Sequence, residues 1–386
     1  MFRWLLLTLA LLVLAVGFLT VLQSPAWLEW RLAILAGEYG FYFAPVPLGL
    51  AALAWLSRGS QMPVTVVTVF ACALAVGLLL KPVVEAAQIA QGLPARLDAA
   101  FGPVTMKREP FSPAHLVGAG SGAGQVETMA FADGLLLDFY RPVGSTARPV
   151  PCVVVVHGGG WNSGERTQLA AFNHRLASLG YGVAAVSYRL APKFIWPAQR
   201  DDVMAALAFL KAKAREIGID PERIVLLGRS AGGQIAEVVA YAAMDPAIRG
   251  LVGLYAPSDL NFAYAHAEED DVIKSPSLMR QFLGGSPDAA KANYDSASAL
   301  AFVSANSPPT LLLHGQLDGL VWHRHSERLA ARLTEMGVKN CFVSMPWATH
   351  AFEANLDGPG GQLTTYALEW FLAAVTQERN VPPERE

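Results

Sequence analysis

The sequence predicts an α/β fold in which a mostly parallel, doubly wound sheet carries helices on both faces and follows an N-terminal helical region. From about residue 126 onward, short apolar runs rich in β-branched residues alternate with longer segments of helical spacing. Before that point charged side chains are scarce: residues 1–80 hold five, whereas the whole chain of 386 residues holds 29 basic and 32 acidic ones. The length allows one large domain and an N-terminal region of a different kind.

Charge and cysteine content exclude some classes of protein. The net charge of −3 and the absence of a lysine or arginine cluster give no basic surface for nucleic acid, so no nucleic-acid partner is expected. The three cysteines, Cys72, Cys152 and Cys341, are scattered, which is typical neither of a disulfide framework nor of a metal knuckle.

Three uncharged runs predict membrane spans, at residues 4–22, 39–56 and 62–80. The first and third have 19 residues each, close to the roughly 20 that a helix needs to cross a bilayer. The second contains Pro45 and Pro47, so a helix there would be kinked or broken. Trp27 and Trp30, between the first two runs, are typical of an interfacial belt. We expect a multi-pass membrane protein with the lipid bilayer as a partner; a cleaved signal peptide is the alternative for the first run.

Composition also predicts the domain boundaries. The transmembrane helical region is expected to end at residue 80, and residues 81–125 read as a connector that includes a flexible glycine-rich linker, Gly118–Gly124. The α/β domain is expected over residues 126–376, and a polar tail over residues 377–386.

Within the α/β domain, strands and helices alternate. Strands are predicted at residues 126–131, 135–140, 152–156, 183–186, 223–227, 248–254, 310–313 and 341–343. Helices are predicted near residues 167–179, 198–217, 325–336 and 363–375. Ligands of such sheets bind beyond the carboxyl ends of the strands, so the loops that follow the strands are where chemistry is expected.

One of these loops carries a candidate nucleophile. The segment Arg223–Gly233 reads R-I-V-L-L-G-R-S-A-G-G, in which a strand, an abrupt turn and a helix surround Ser230. This is the context of a G-x-S-x-G nucleophile elbow, which holds a serine in a strained conformation at a helix N-terminus. A serine in an ordinary glycine-rich turn is the alternative.

A second loop carries three consecutive glycines. The segment His157–Trp161 reads H-G-G-G-W and directly follows a strand. Backbone amides of these glycines, together with that of Ala231, would form an oxyanion hole. A phosphate-binding loop or a plain loop is the alternative, but a phosphate loop would place a lysine and a Ser/Thr after the glycines.

Two later loops supply the partners that a serine nucleophile needs. Asp318 follows the strand at residues 310–313, and His350 follows the strand at residues 341–343. An acid orients a histidine base, which in turn activates the serine. Asp259, after the preceding strand, is an alternative acid.

These motifs, with Y-R-L-A-P at Tyr188–Pro192, resemble the α/β-hydrolase superfamily over about residues 126–375. Within it, the chain is similar to the hormone-sensitive-lipase-like and feruloyl-esterase-like carboxylesterases. The resemblance implies Ser230 as nucleophile, His350 as base and Asp318 as acid. It also implies that Gly159, Gly160 and Ala231 line the oxyanion hole. It departs from the family's pattern at two positions: Arg229 stands where an acidic residue is common, and Ala351 where glycine is common.

Other residues are candidates for the substrate pocket. Trp161, Trp196 and Arg229 are the candidates nearest the motifs, with core packing as the alternative for the two tryptophans. The segment Ser258–Leu300, between two strands, is either a cap over the pocket or an excursion that packs its aromatic residues into the core.

We therefore expect a membrane-anchored serine hydrolase, a carboxylic ester hydrolase that acts on a small-molecule ester through an acyl-enzyme. The pattern calls for no metal and no organic cofactor. A serine peptidase of the prolyl-oligopeptidase type and an acyltransferase use the same triad and are the alternatives, and a non-catalytic membrane protein with a hydrolase-like binding domain is a further one.

Overall fold

The computed structural model describes residues 1–58, 62–118, 124–144 and 148–377. The middle of the predicted glycine-rich linker and nearly all of the predicted C-terminal tail lie outside the described residues. The described part contains an eight-stranded sheet with helices on both faces and a bundle of apolar helices at the N-terminus. The predicted fold class is therefore confirmed for the α/β domain.

The strands follow the predicted order along the chain. They are β1 Val126–Ala132, β2 Leu135–Tyr140, β3 Val150–Val156, β4 Gly182–Val186, β5 Ile219–Arg229, β6 Ile248–Leu254, β7 Thr310–Gly315 and β8 Asn340–Met345. Their order in the sheet is β1-β2-β4-β3-β5-β6-β7-β8, and only β1 and β2 pair antiparallel to their neighbours. The remaining pairs are parallel, so the carboxyl ends of β3, β5, β7 and β8 lie at one edge of the sheet.

The helices occupy the segments between the strands and before them. They are α1 Phe2–Phe18, α2 Trp27–Phe43, α3 Pro45–Leu56, α4 Met62–Phe101, α5 Ala170–Ser178, α6 Ala198–Ile217, α7 Ala231–Ala242, α8 Leu260–His266, α9 Ser275–Leu283, α10 Lys291–Ala297, α11 Arg324–Glu335 and α12 Pro359–Val375. Short 3-10 helices lie at Pro113–Val117, Ala299–Phe302 and Phe352–Ala354.

The sheet is buried on both faces, which explains its unbroken apolar strands. In β3, Val154 and Val156 face a core formed with α6, α7 and α11, whereas Val153 and Val155 face a second core formed with α5 and α12. A central parallel strand lacks a solvent face, so the period-two alternation of half-buried strands is lost.

The predicted spans differ from the helices of the structure. Residues 39–56 do not form one helix: they are divided between α2 and α3, which meet at a bend of 59°. Ala44 precedes Pro45, and Pro45 opens α3, a position where the missing N–H costs no hydrogen bond. The run 62–80 is the first half of the 40-residue helix α4.

Helices α1, α3 and the first half of α4 pack against one another. Arg3 Nε donates to the carbonyl of Ser57 at 2.9 Å, and Thr20 Oγ1 donates to the carbonyl of Leu78 at 3.1 Å. Among the described residues, α4 alone is long and apolar enough to cross a membrane, and the bent α2–α3 pair makes a second such element if it counts as one span. Helix composition therefore gives one or two candidate spans, fewer than the three predicted.

Helix α4 continues through the predicted connector and joins the α/β domain. Its second half contains Pro82 and Pro94, each of which removes a backbone hydrogen bond. Leu93, Leu97 and Phe101 nevertheless pack into the core that faces α12. Burial of these side chains, worth roughly 2 kcal/mol each, offsets the cost of the prolines.

Candidate active site

Ser230 stands at a sharp turn between β5 and α7, as the motif predicts. Its backbone adopts φ 52° and ψ −125°, a conformation that L-residues rarely occupy. The flanking glycines make the turn possible: a Cβ on Gly228 would lie 2.4 Å from the carbonyl oxygen of Gly232, and one on Gly232 would lie 2.1 Å from that of His157. Only glycine fits this approach, and Ser230 is thereby placed at the N-terminus of α7.

The H-G-G-G-W loop lies against this turn. Gly159 and Gly160 have positive φ, and both border the same cleft as Ser230. The Gly158 amide donates to Gln168 Oε1 at 2.9 Å, which braces the loop from the side. Ala231, whose amide is the other predicted oxyanion donor, directly follows Ser230 as the first residue of α7.

Asp318 and His350 are in direct contact. His350 Nδ1 lies 2.7 Å from Asp318 Oδ2, so the imidazole donates to the carboxylate and leaves its Nε2 free to accept a proton. Asp318 Oδ1 accepts from the amides of Leu320 and Val321, both at 2.9 Å. Asp318 is thus held on both oxygens, with no freedom to turn away from the histidine.

The charge state of Asp318 follows from its partners. Burial by itself would raise the pKa of its carboxyl. The neighbouring His350 and the hydrogen bonds from His314 and His350 outweigh burial and hold the pKa of Asp318 well below its usual range. His314 Nε2 lies 3.1 Å from Asp318 Oδ2, while its Nδ1 lies 2.7 Å from Ser326 Oγ. The acid therefore stays ionised and oriented toward His350.

The alternative acid has a different role. Asp259 Oδ1 accepts from the Phe262 amide as the N-cap of α8, and its Oδ2 forms an ion pair with Arg328 at 2.6 Å. Both oxygens are engaged away from His350, so the geometry favours Asp318 as the partner of His350.

A cleft of about 470 Å³ lies beside Ser230 and His350. Ser230, His350 and the glycines of the loop border it on one side. Apolar side chains border it elsewhere, from the segment between β6 and β7 and from the N-terminal region: Trp27, Trp30, Val272, Ile273, Leu278 and Leu320. The arrangement provides a nucleophile, a base and backbone donors beside an apolar surface.

The three predicted pocket residues lie in different surroundings. Trp161 is buried, donates from Nε1 to Gln234 Oε1 at 2.9 Å, and borders a neighbouring cavity of about 410 Å³. Trp196 is packed in the core and donates to Ser296 Oγ at 2.9 Å, which favours the alternative of core packing for this residue.

Arg229 borders the cleft, but its guanidinium belongs to a buried ion pair. Its Nε lies 2.9 Å from Glu353 Oε1, and both side chains are almost fully buried. The same carboxylate oxygen accepts from the hydroxyl of Tyr255, whose ring centroid lies 4.2 Å from that of His350. Burial raises the pKa of Tyr255 well above its usual range, which keeps its hydroxyl a donor. The Arg229–Glu353 pair thus holds Tyr255, and the ring of Tyr255 packs against that of His350.

Loss of one member of this pair is expected to destabilise the fold. Arg229→Met should lower the free energy of unfolding by about 3 to 5 kcal/mol, because it leaves the Glu353 carboxylate unpaired in the interior. Thermal and denaturant unfolding of the purified protein measures the loss. The double variant Arg229→Met/Glu353→Gln removes both charges and should recover much of the stability. If the double variant loses as much unfolding free energy as the two single variants together, this account is contradicted.

His157 braces the glycine loop as a neutral side chain. Its ring stacks on Tyr188 at 4.2 Å, its Nδ1 lies 2.8 Å from the carbonyl of Gly158, and Tyr188 Oη donates to the carbonyl of His157. Burial lowers the pKa of His157 to about 4 from its ordinary value of 6.5.

The lowered pKa predicts a pH-dependent stability. Between pH 6.5 and 4 the unfolded chain takes up the proton before the folded one, so the contribution of His157 to stability is present above pH 6.5 and lost as the pH falls toward 4. Relative to His157→Gln, the wild type should therefore lose about 2 kcal/mol of unfolding free energy when the pH falls from 7 to 5. Denaturant titrations at the two pH values measure it, and an unchanged difference would contradict a buried neutral imidazole.

The segment Ser258–Leu300 both packs aromatic residues into the core and contributes side chains to the cleft. Phe282 and Tyr294 are packed in the core, and Phe282 stacks on Trp161 with ring centroids 4.4 Å apart. Ile273 and Leu278 instead border the cleft beside Ser230. The excursion is thus anchored by its aromatic residues and contributes aliphatic side chains to the cleft wall.

These features define an α/β hydrolase: a parallel sheet with a nucleophile elbow after β5, an acid after β7 and a histidine after β8. The chain belongs to the BD-FAE family, whose sequence profile matches residues 137–333, about half of the chain. The predicted resemblance is confirmed at the level of fold and family. The family profile begins after the N-terminal helices.

Curated relatives are described as ester hydrolases. Over 232 residues the chain is 31% identical to Esterase LipQ of Mycobacterium tuberculosis, which covers 56% of this chain and 54% of the relative. Over 250 residues it is 30% identical to the probable carboxylic ester hydrolase LipM of the same organism, with coverage of 62% and 58%. The matches therefore span just over half the length of these relatives.

Solved structures share the fold. An esterase from Pyrobaculum calidifontis is 24% identical with a TM-score of 0.57, covering 75% of this chain and 94% of that one. A bacterial heroin esterase is 24% identical with the same TM-score, with coverage of 76% and 93%. At this identity the likeness establishes the α/β-hydrolase fold alone.

Proposed function

We propose that the protein is a serine hydrolase that cleaves carboxylic esters, with Ser230, His350 and Asp318 as its triad. The observation that carries the proposal is that Ser230, held in a strained elbow, borders the same cleft as a histidine that is bonded to a buried, ionised aspartate. The ester-hydrolase names of the curated relatives support the same reaction.

The proposed reaction has two steps. Ser230 Oγ attacks the ester carbonyl carbon and gives its proton to His350 Nε2, while amides of Gly159, Gly160 and Ala231 stabilise the oxyanion. The carbon–oxygen bond to the alcohol breaks, and the alcohol leaves with the proton from His350. Water then attacks the acyl-enzyme and gives a proton to His350, which returns it to Ser230 as the carboxylic acid leaves. Asp318 stabilises the imidazolium in both steps.

We propose further that the N-terminal helices anchor the protein in a bilayer. Most of the large apolar side chains that the described residues expose lie between Met1 and Val84. In the apolar 18-residue window of α4, only 39% of the helix is buried inside the protein, which leaves an outward face for lipid. A core helix of a soluble domain would have that face covered.

A covalent probe and an ester assay test the hydrolase proposal on the full chain in detergent micelles. A fluorophosphonate should modify Ser230, located by peptide mass spectrometry, and p-nitrophenyl esters from acetate to laurate should release p-nitrophenol. Ser230→Ala should neither be labelled nor release product. A folded wild-type protein that reacts at another residue, or with no ester of the series, would overturn the proposal.

A further inference from the structure

The N-terminal region contributes to the cleft that holds Ser230. Trp27 and Trp30, both from α2, border it together with His350 and the glycine loop. Their ring centroids lie 4.6 Å apart, so the two indoles form a joined surface. The family profile, over residues 137–333, does not reach this segment, and the sequence pattern of the segment is typical of an interfacial belt.

Helix α2 is held firmly against the α/β domain. Glu38 Oε1 accepts from Trp347 Nε1 at 3.1 Å, and Glu38 Oε2 accepts from the amide of Gly360 at 2.8 Å. Asn355 Nδ2 donates to the carbonyl of Glu38 at 2.8 Å. Trp347 lies three residues before His350, so the loop that carries the histidine is also the loop that binds α2.

The other end of α2 approaches the acid of the triad. The segment before the helix reaches the Asp318 loop: Gln23 Nε2 lies 3.4 Å from the carbonyl of Asp318, and a Cβ on Gly319 would lie 3.1 Å from the carbonyl of Ser24. Gln23 also borders the neighbouring cavity, which shares Leu278 and Leu320 with the Ser230 cleft. Contacts at both ends therefore fix Trp27 and Trp30 at the cleft.

The wall they form continues into surface suited to lipid. Trp27 is 48% exposed, and its neighbours Leu22 and Leu28 are more exposed still. Val272 and Leu278 border the cleft together with the two indoles. Apolar side chains therefore occur both on the outside of the N-terminal helices and in the lining of the cleft that holds Ser230. Such a lining favours an apolar chain over a small polar ester.

We propose that Trp27 and Trp30 contact the substrate, and that the cleft takes an ester whose long apolar chain enters from the bilayer beside α2. The inference rests on the proposed hydrolase function and adds its substrate class, a membrane-resident ester. It assigns to the N-terminal helices a role in specificity as well as attachment.

Chain-length selectivity of full-length variants in dodecyl maltoside micelles tests the role of the tryptophans. Trp27→Ala and Trp30→Ala should each lower kcat/KM for p-nitrophenyl decanoate about tenfold and that for p-nitrophenyl acetate less than about threefold, because only the long chain reaches the indoles. Trp30→Phe should retain most of the selectivity. Trp55→Ala is the matched control, since Trp55 on α3 is as exposed as Trp27 but does not border the cleft.

Equal losses in Trp55→Ala and in the two cleft variants would overturn the inference, as would unchanged decanoate-to-acetate ratios in Trp27→Ala and Trp30→Ala. Cleavage of the acetate ester by wild type, abolished in Ser230→Ala, reports separately on the hydrolase function. Failure of that reaction would refute the proposed function, whereas its success with no effect of the tryptophans would refute only the substrate class.

The route through the bilayer has its own measurement. Wild-type protein is reconstituted in phosphatidylcholine vesicles that contain a long-chain ester at varied mole fraction. The rate should follow the mole fraction of ester in the membrane at fixed total ester. A rate that follows total ester and ignores its surface dilution would overturn entry from the bilayer.

Discussion

Replacing Ser230 by alanine is expected to lower kcat for ester hydrolysis by about 10⁴- to 10⁶-fold. The alanine removes the only atom that forms the acyl-enzyme, while the glycine loop and the cleft stay in place, so binding should be retained. Steady-state kinetics with p-nitrophenyl butyrate in detergent micelles measures the loss, and KM should change little.

Folding must be checked separately, because position 230 has φ 52°. Alanine at this backbone conformation carries about the same strain as serine, so the unfolding midpoint should stay within a few degrees of wild type. Ser178→Ala is a suitable control, since that exposed serine on α5 donates to the carbonyl of Arg175 and does not border the cleft. A Ser230→Ala variant that keeps a tenth of wild-type activity would remove Ser230 as the nucleophile.

The fold was predictable where local pattern and tertiary packing agree. The valine run of β3 and the turn at Ser230 carry their information in neighbouring residues, and both were placed correctly. Helix α4 shows the limit: the sequence predicts a connector after residue 80, but α4 continues through Pro82 and Pro94 to Phe101, with Leu93 and Leu97 packed in the core. Local sequence rules give the cost of a proline in a helix but not the stabilisation by contacts with residues far along the chain.

Some residues of the candidate site could likewise be predicted from the sequence, and others could not. Ser230, Asp318 and His350 follow strands whose carboxyl ends meet, so their proximity could be inferred from topology. The position of Trp27 could not, because it depends on Glu38 binding Trp347 in the loop that carries His350 and the first turn of α12, across more than 300 residues of chain. Glu38 is the only charged residue between Arg31 and Arg58, and this was the signal available, since a buried carboxylate requires partners.

Arg229 and Ala351, the two departures from the family's pattern, have physical accounts. Arg229 is paired with Glu353, so the charge that replaces an acidic residue is neutralised inside the protein. Ala351 has φ 64°, a left-handed conformation that glycine adopts without strain and alanine adopts at a cost of about 1 kcal/mol. Both lie next to triad residues and leave the contact between His350 and Asp318 intact.

Asp318→Asn is expected to lower kcat by about 10⁴-fold at neutral pH, through the tautomer of His350. Asp318 Oδ1 accepts from the amides of Leu320 and Val321, so the amide oxygen of asparagine must take that position. Its NH₂ group then faces His350 Nδ1, which can only respond by accepting. The imidazole proton moves to Nε2, where it blocks removal of the proton from Ser230. The reverse orientation would set NH₂ against two backbone donors.

The matched control is Asp259→Asn, the same substitution at the other acid that follows a strand. Asp259 is bonded to the Phe262 amide and to Arg328, so its loss should change kcat less than about threefold. The kinetics of both variants, and their rates of labelling by a fluorophosphonate, separate the two acids. A large loss in Asp259→Asn with little loss in Asp318→Asn would reverse the assignment, because the labelling rate reports on the base that activates Ser230.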